Sequence, residues 1–334
     1  GNGDWSSDVC SSDLEVIMKK KIFLGVLLGL IGSMIIGCGQ SNDKNAVKNE
    51  ETKPSITVSI FPLKEFAEEI AGDKVDINCL VPNNMEPHDY EPKTKDFEKL
   101  INSDAFIYNG LGLEEWVEKV NEVIKNEDVL IVDSSKNVDS ITIEDENHEE
   151  EHNHDNEEEH DHEHGAIDPH SWLSLKEAQV QSEAIKDTLI EIDPENKAYY
   201  EQNYNEFKQK LDDLYNKYNE KFQTLQNKNF ITGHAAFGYL CRDFGLEQKS
   251  VENVFGEGEP TPKQLENLVN FCKENNITTI FSESLASPKV SETLAAEVGA
   301  KVIPIYTLES QEDNKSYLEA MEYNLNQIYN CLEK

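Results

Sequence analysis

Thirty-one residues, Glu195 to Leu225, pass without a glycine or a proline, and their apolar side chains recur every three or four positions. Tyr200, Tyr204, Phe207, Leu211, Leu214, Tyr218, Phe222 and Leu225 fall on one stripe of an α-helix. At a rise of 1.5 Å per residue, a helix of some thirty residues is about 45 Å long, enough to cross a whole domain. Whatever this chain folds into must therefore accommodate a strut. A shorter helix, Leu175 to Ile190, precedes it and is closed by Asp193-Pro194. A coiled-coil partner surface is the other use of such a stripe; packing along two lobes is the preferred reading.

On both sides of the strut, short β-branched runs alternate with helical spacing. Ser55–Ile60, Val75–Val81, Ala105–Tyr108 and Val129–Val132 read as strands before it, with helices over Pro62–Ala71 and Glu114–Ile124. After it, Phe230–Thr232, Thr278–Phe281 and Val302–Ile305 are strands. Pro262–Glu274, the stretch from Pro288 to Gly299 and Ser316–Leu332 are helices. Alternation of this kind predicts an α/β fold with mostly parallel sheets. The organisation expected is lobe, strut, lobe: 56–173, 174–227 and 228–334.

The beginning of the chain reads as targeting rather than fold. Met18-Lys19-Lys20-Lys21 is a basic patch, and Ile22 to Ile36 is apolar without a charge. That run is short for a membrane span, which needs about 20 residues, and its flanks are those of a secretory signal over 18–37. The small residue before Cys38 resembles a bacterial lipobox, which makes Cys38 the expected lipidation site. Residues 38–55 are polar and suit a flexible tether. Residues 1–17, upstream of Met18, are expected to be an artefact and are set aside.

Between the last strand of the first lobe and the strut lies a composition break. Glu144 to His164 contains twelve Asp or Glu, six His and no Lys or Arg. The tract is expected to be an exposed loop whose His148, His152, His154, His160, His162 and His164 collect metal weakly; a solvated charge run is the plainer alternative. The whole chain carries 66 acidic against 30 basic residues, a formal charge of −36. Such a surface repels nucleic acid and draws cations, and it also serves solubility.

The other three histidines stand apart, in Glu86-Pro-His88-Asp-Tyr-Glu-Pro, Asp168-Pro-His170-Ser-Trp-Leu and Gly233-His234-Ala-Ala-Phe-Gly-Tyr. Imidazole is the commonest protein metal ligand. His88 and His234 follow strands, and His170 lies in the loop between the acidic tract and the first linking helix. α/β folds gather ligand groups in loops beyond strand ends, so the three could meet across the interlobe cleft. Hydrogen-bonded histidines of no special function are the alternative. Cys79, Cys241, Cys272 and Cys331 lack the CxxC spacing of a zinc knuckle or redox pair, and buried thiols and a single bridge both fit.

These three motifs, in this order and followed by Ser284-Leu-Ala-Ser-Pro-Lys-Val-Ser-Glu-Thr-Leu-Ala, closely resemble the zinc-type (ZnuA/AdcA-like) solute-binding lipoproteins of metal ABC importers. The resemblance covers roughly residues 55–334 and extends to the acidic His-rich insertion. It implies two α/β lobes joined by a long rigid helix, with Zn2+ held in the cleft by His88, His170 and His234. It also implies a fourth ligand at Glu309 in Tyr306-Thr-Leu-Glu-Ser, although the family usually has Gly where this chain has Ser310. Glu283 is the nearby alternative, and Glu86 and Asp168 are expected behind the ligands, where carboxylates orient imidazoles. Manganese-type relatives carry a carboxylate in place of His234; three imidazoles and one carboxylate suit tetrahedral zinc.

The implied function is capture of Zn2+ outside the cytoplasmic membrane by a lipid-anchored monomer. Delivery would be to the permease of an importer driven by a separate ATPase, with no enzymatic activity and no nucleic-acid partner. Another divalent metal in the same transporter class, a surface adhesin and a zinc hydrolase are the rival readings. The hydrolase lacks an HExxH helix to support it.

Overall fold

The computed structural model describes residues 53–83, 85–125, 127–143, 166–254, 260–283 and 288–333. The expected artefact, signal, Cys38 anchor, most of the tether and the six tract histidines lie outside these residues.

Two four-stranded sheets form, and every strand pair in them is parallel. The first contains β1 (Ser55–Val58), β2 (Asp76–Cys79), β3 (Ala105–Tyr108) and β4 (Leu130–Asp133), in the order β2-β1-β3-β4. The second contains β5 (Asn229–Thr232), β6 (Glu247–Ser250), β7 (Thr279–Glu283) and β8 (Lys301–Ile305), in the order β6-β5-β7-β8. The two sheets thus repeat one topology. Parallel strands need crossovers, and these are supplied by α1 (Phe61–Ala71), α2 (Thr94–Ile101) and α3 (Val117–Ile124) in the first lobe. In the second they are α6 (Gly238–Phe244), α7 (Pro262–Glu274) and α8 (Pro288–Val298).

Between the lobes run α4 (Glu177–Ile192) and the strut, α5 (Lys197–Gln223), with α9 (Tyr317–Leu332) closing the chain. The strut is 27 residues, about 40 Å long, and a single 3-10 turn at Pro194–Asn196 separates it from α4. Its predicted apolar stripe is buried from Tyr200 through Phe222. Towards its middle Phe207 packs on Phe66 of α1, and Lys210 pairs with Glu69 at 2.7 Å. Near its end Phe222 meets Phe244 of α6 and Tyr329 of α9, and Lys217 pairs with Glu322.

Two further ties cross between the halves. Trp172 Nε1 donates to the Thr307 carbonyl at 2.8 Å, and Tyr317 Oη donates to the Trp172 carbonyl at 2.6 Å. One hydrophobic core accordingly runs from Ile56 to Leu332 through both lobes and the strut, with a smaller cluster around Ile231, Leu268 and Ile280. The four cysteines between Cys79 and Cys331 are free thiols.

Candidate metal centre

Each of the three separate histidines is delivered from the carboxyl-terminal side of a sheet. His88 lies in the 3-10 turn Pro87–Asp89 after β2. The turn is followed by Tyr90, which is buried against Trp116 and donates its hydroxyl to Asp96 at 3.0 Å. His170 comes just before the 3-10 turn Ser171–Leu173. Its loop is tied to the first sheet by Asn109, whose Nδ2 donates to the Pro169 carbonyl at 3.0 Å. Gln181 of α4 braces Asn109 Oδ1 and Ser135 Oγ at 2.9 and 3.0 Å. His234 follows β5 and is gripped by its backbone. Its carbonyl accepts from Thr232 Oγ1 at 2.6 Å and from Gln248 Nε2 at 2.8 Å, and its N–H donates to Glu283 Oε1 at 3.1 Å.

The three imidazoles converge. One donor atom from each of His88, His170 and His234 lies within 4.8 Å of the others, and the two Nε2 atoms of His88 and His170 are 3.4 Å apart. Glu309 arrives after β8 and is 1 % exposed. Its Oε2 accepts from Thr307 Oγ1 at 2.7 Å, while Oε1 stands 3.4 Å from His170 Nε2 and 3.9 Å from His88 Nε2. Apart from that long approach to His170, no donor reaches Oε1, and burial makes so thinly satisfied a carboxylate oxygen costly. The residue before it, Leu308, has φ +58°, a conformation a branched side chain rarely adopts. That turn directs Glu309 inward.

Asp168 fixes the orientation of His170. Its Oδ1 accepts from both the His170 backbone N–H and Nδ1, at 2.9 and 2.8 Å, which leaves Nε2 facing the centre. Burial pulls the His170 pKa down, but Asp168 and Glu309 outweigh it and raise it to about 9. His88, desolvated and facing another imidazole, is lowered to about 4, and His234 is lowered by burial and His170. Burial opposes the charge on Glu309, yet His170 and the other imidazoles hold its pKa below the usual range. Glu86, half-buried against Glu309, is raised by burial and by that neighbour.

Of the carboxylates expected near the histidines, Glu309 rather than Glu283 is brought against His88 and His170. Glu283 is spent on the His234 backbone, and its Oε2 is buried without a partner. Two contributors escaped the sequence reading. The Val254 carbonyl lies 2.6 Å from His234 Nε2, and a backbone oxygen leaves no trace in residue types. Gly238 is needed because a Cβ there would sit 2.6 Å from Asp168 Oδ2; it lies within the quoted His234 motif, but the reason for it is spatial.

Two of the donor separations fit a tetrahedral site. Zinc held at 2.0–2.1 Å by nitrogen and oxygen requires donors roughly 3.3 Å apart, close to the His88–His170 and His170–Glu309 separations. The profile of the family described as zinc-uptake complex component A, periplasmic, matches residues 56–331. The chain belongs to that family. Among zinc-uptake component A relatives, the high-affinity zinc uptake system protein ZnuA of Bacillus subtilis (strain 168) is 36% identical over 304 residues, 90% of this chain and 94% of its own. The zinc-bound structure of an AdcAII variant of Streptococcus pneumoniae superposes with a TM-score of 0.74 at 30% identity, over 84% of this chain and 98% of that one. The laminin-binding protein Lmb of Streptococcus agalactiae, described as bifunctional with adhesin and metal-transporting activity, gives a TM-score of 0.74 at 29% identity. That match covers 84% of this chain and 99% of Lmb. The shared fold is the two parallel-sheet lobes and long connecting helix seen here.

Proposed function

We propose that this protein captures Zn2+ outside the cytoplasmic membrane, in the cleft between its lobes, and hands it to an ABC-type importer made of a membrane permease and an ATPase. His88, His170 and His234 supply three imidazole nitrogens and Glu309 one carboxylate oxygen. The observation that carries this reading is the convergence of the three imidazoles, one donor atom of each within 4.8 Å of the others, with buried Glu309 Oε1 beside two of their Nε2 atoms. A cation at their centre replaces the long His170 contact at that oxygen. Three imidazoles and a single carboxylate favour zinc over manganese, which prefers an oxygen-rich site. Names of relatives such as the Bacillus subtilis ZnuA support the metal and the transport role. Cys38 is the proposed lipid anchor, 38–55 the tether, and the protein acts as a monomer; the acidic surface concentrates the cation.

The test is metal-dependent stability of the soluble body, stripped and then given zinc or manganese. At a hundred times Kd, zinc adds about 2.7 kcal/mol, and His234→Ala abolishes the gain. Stabilisation by manganese alone would overturn the choice of metal, and no stabilisation by either would overturn the site.

A further inference from the structure

One short helix keeps the two deepest histidines in register. His170 and His234 are the closest pair of imidazoles, with ring centroids 4.8 Å apart against 5.4 and 5.8 Å for the pairs that include His88. Helix α6 opens four residues after His234, and its side chains grip the His170 segment on both sides. Tyr239 Oη donates to the Asp168 carbonyl at 2.7 Å, two residues before His170. Asp243 Oδ2 accepts from Ser174 Oγ at 2.6 Å, four residues after it. Tyr239 is fully buried, and its hydroxyl also accepts from the Ile141 N–H at 3.2 Å.

Arg242 closes the arrangement. It is the only arginine among the chain's 30 basic residues, and its guanidinium carbon lies 5.1 Å from the centre of the Tyr239 ring. Nη1 donates to the Asp139 carbonyl and Nη2 to Glu177 Oε1, while Glu177 Oε2 accepts from the Asp139 N–H at 3.3 Å. These bonds form a closed ring that joins α6 to the chain after β4 and to the start of α4. The ring needs two donors held in a planar fork, which a lysine ammonium on its flexible stem does not offer.

Resting on the zinc reading above, we propose that Tyr239 and Arg242 are positioning residues for the metal, a clasp from the second lobe that holds the His170 segment in register with His234. Their effect passes through Asp168, whose carbonyl Tyr239 holds and whose carboxylate holds His170 Nδ1. Removing the Tyr239 hydroxyl strips a partner from that carbonyl and from the Ile141 N–H. The loop then shifts, and the His170 ring loses the fixed aim that a tight site requires.

Charge separates this role from a simple field. A cation near a zinc site opposes binding, so by field alone Arg242→Gln binds zinc more tightly and Arg242→Lys binds it as wild type does. Loss of the clasp weakens both. The experiment measures Kd by chelator competition, zinc release by stopped flow and the visible spectrum of the cobalt-loaded form, all on the full soluble body. Wild type, Tyr239→Phe, Arg242→Lys, Arg242→Gln and Leu211→Ala are compared. The last truncates a buried side chain of the strut and lowers stability away from the site.

Tyr239→Phe and both Arg242 variants should weaken zinc binding by about tenfold, chiefly through faster release, and shift the cobalt spectrum. Leu211→Ala should melt at a lower temperature yet keep the wild-type Kd and spectrum. A wild-type Kd and spectrum in Tyr239→Phe would overturn the clasp. So would tighter binding by Arg242→Gln beside an unchanged Arg242→Lys, which would reduce Arg242 to its charge. Weakening shared equally by Leu211→Ala would reduce the effect to stability and overturn it too. Failure of wild type to bind zinc would instead overturn the parent reading.

Discussion

Asp168 Oδ1 sits 2.8 Å from His170 Nδ1 and 2.9 Å from the same residue's backbone nitrogen. One carboxylate oxygen therefore sets both the ring's orientation and the local path of the chain. Asp168→Ala should weaken zinc binding about 10- to 100-fold while the apo fold survives. Chelator competition beside circular dichroism checks this; an unchanged Kd would show that packing alone orients His170.

Proton release should accompany binding. His170 is raised to about 9, so at pH 7 the metal-free protein holds a proton that zinc displaces. His88, lowered to about 4, holds none. Affinity should fall by about tenfold per pH unit as pH drops from 9 towards 4, a one-proton slope. Without zinc the sign is opposite: a raised histidine adds stability below its unfolded pKa near 6.5 and loses that contribution as pH rises through 9. Calorimetry in buffers of different ionisation enthalpy should count about one proton at pH 7; a count of zero would refute a charged His170.

Gly238→Ala places a methyl 2.6 Å from Asp168 Oδ2. Asp168 is already engaged with His170, so it cannot swing away freely. The variant should lose about 1–3 kcal/mol by overpacking and also bind zinc less tightly. Thermal melts and Kd measured together check it, and a stability loss at constant Kd would uncouple the glycine from the site.

The ends of the acidic tract are pinned to the body. Thr142 and Ile167 form an antiparallel bridge, Ile143 N donates to the Ala166 carbonyl at 2.7 Å, and Tyr239 Oη donates to the Asp168 carbonyl at 2.7 Å. Replacing 144–164 by a short Gly-Ser linker should leave the first equivalent of zinc bound as before while lowering the total zinc taken up. Loss of the first equivalent, read by titration against a chelator, would place tract histidines in the central site.

Leu211, fully buried in the middle of the strut, should cost about 2–5 kcal/mol when changed to Ala. Because the main core runs through both lobes, unfolding should stay a single transition. Two separated transitions by calorimetry would mean that the lobes fold independently.

Periodicity and side-chain chemistry encode the strut and the histidine motifs directly. The strut, read over 195–225, spans Lys197–Gln223, because a long apolar stripe with no breaker has few other fates. Strand β6, Glu-Gln-Lys-Ser, went unread: it is a polar edge strand, held by pairing with β5 rather than by any apolar alternation. Helix α6 starts only at Gly238, four residues beyond His234. Residues before it are drawn back by Gln248, whose Oε1 accepts from Phe237 N at 3.0 Å. In the site, ligand types stood out as histidine motifs, while the choice of Glu309 over Glu283 depended on which carboxylate the His234 backbone had already claimed.

The strut also limits how far the two lobes can swing apart. Seven of its side chains, from Tyr200 to Phe222, are buried, and each is worth about 2 kcal/mol. Prying three of them off one lobe would cost about 6 kcal/mol and leave only about one molecule in ten thousand or fewer with its halves swung apart. Any opening of the cleft should therefore fall to the loops that bear His88 and Glu309 rather than to a rigid swing of the lobes.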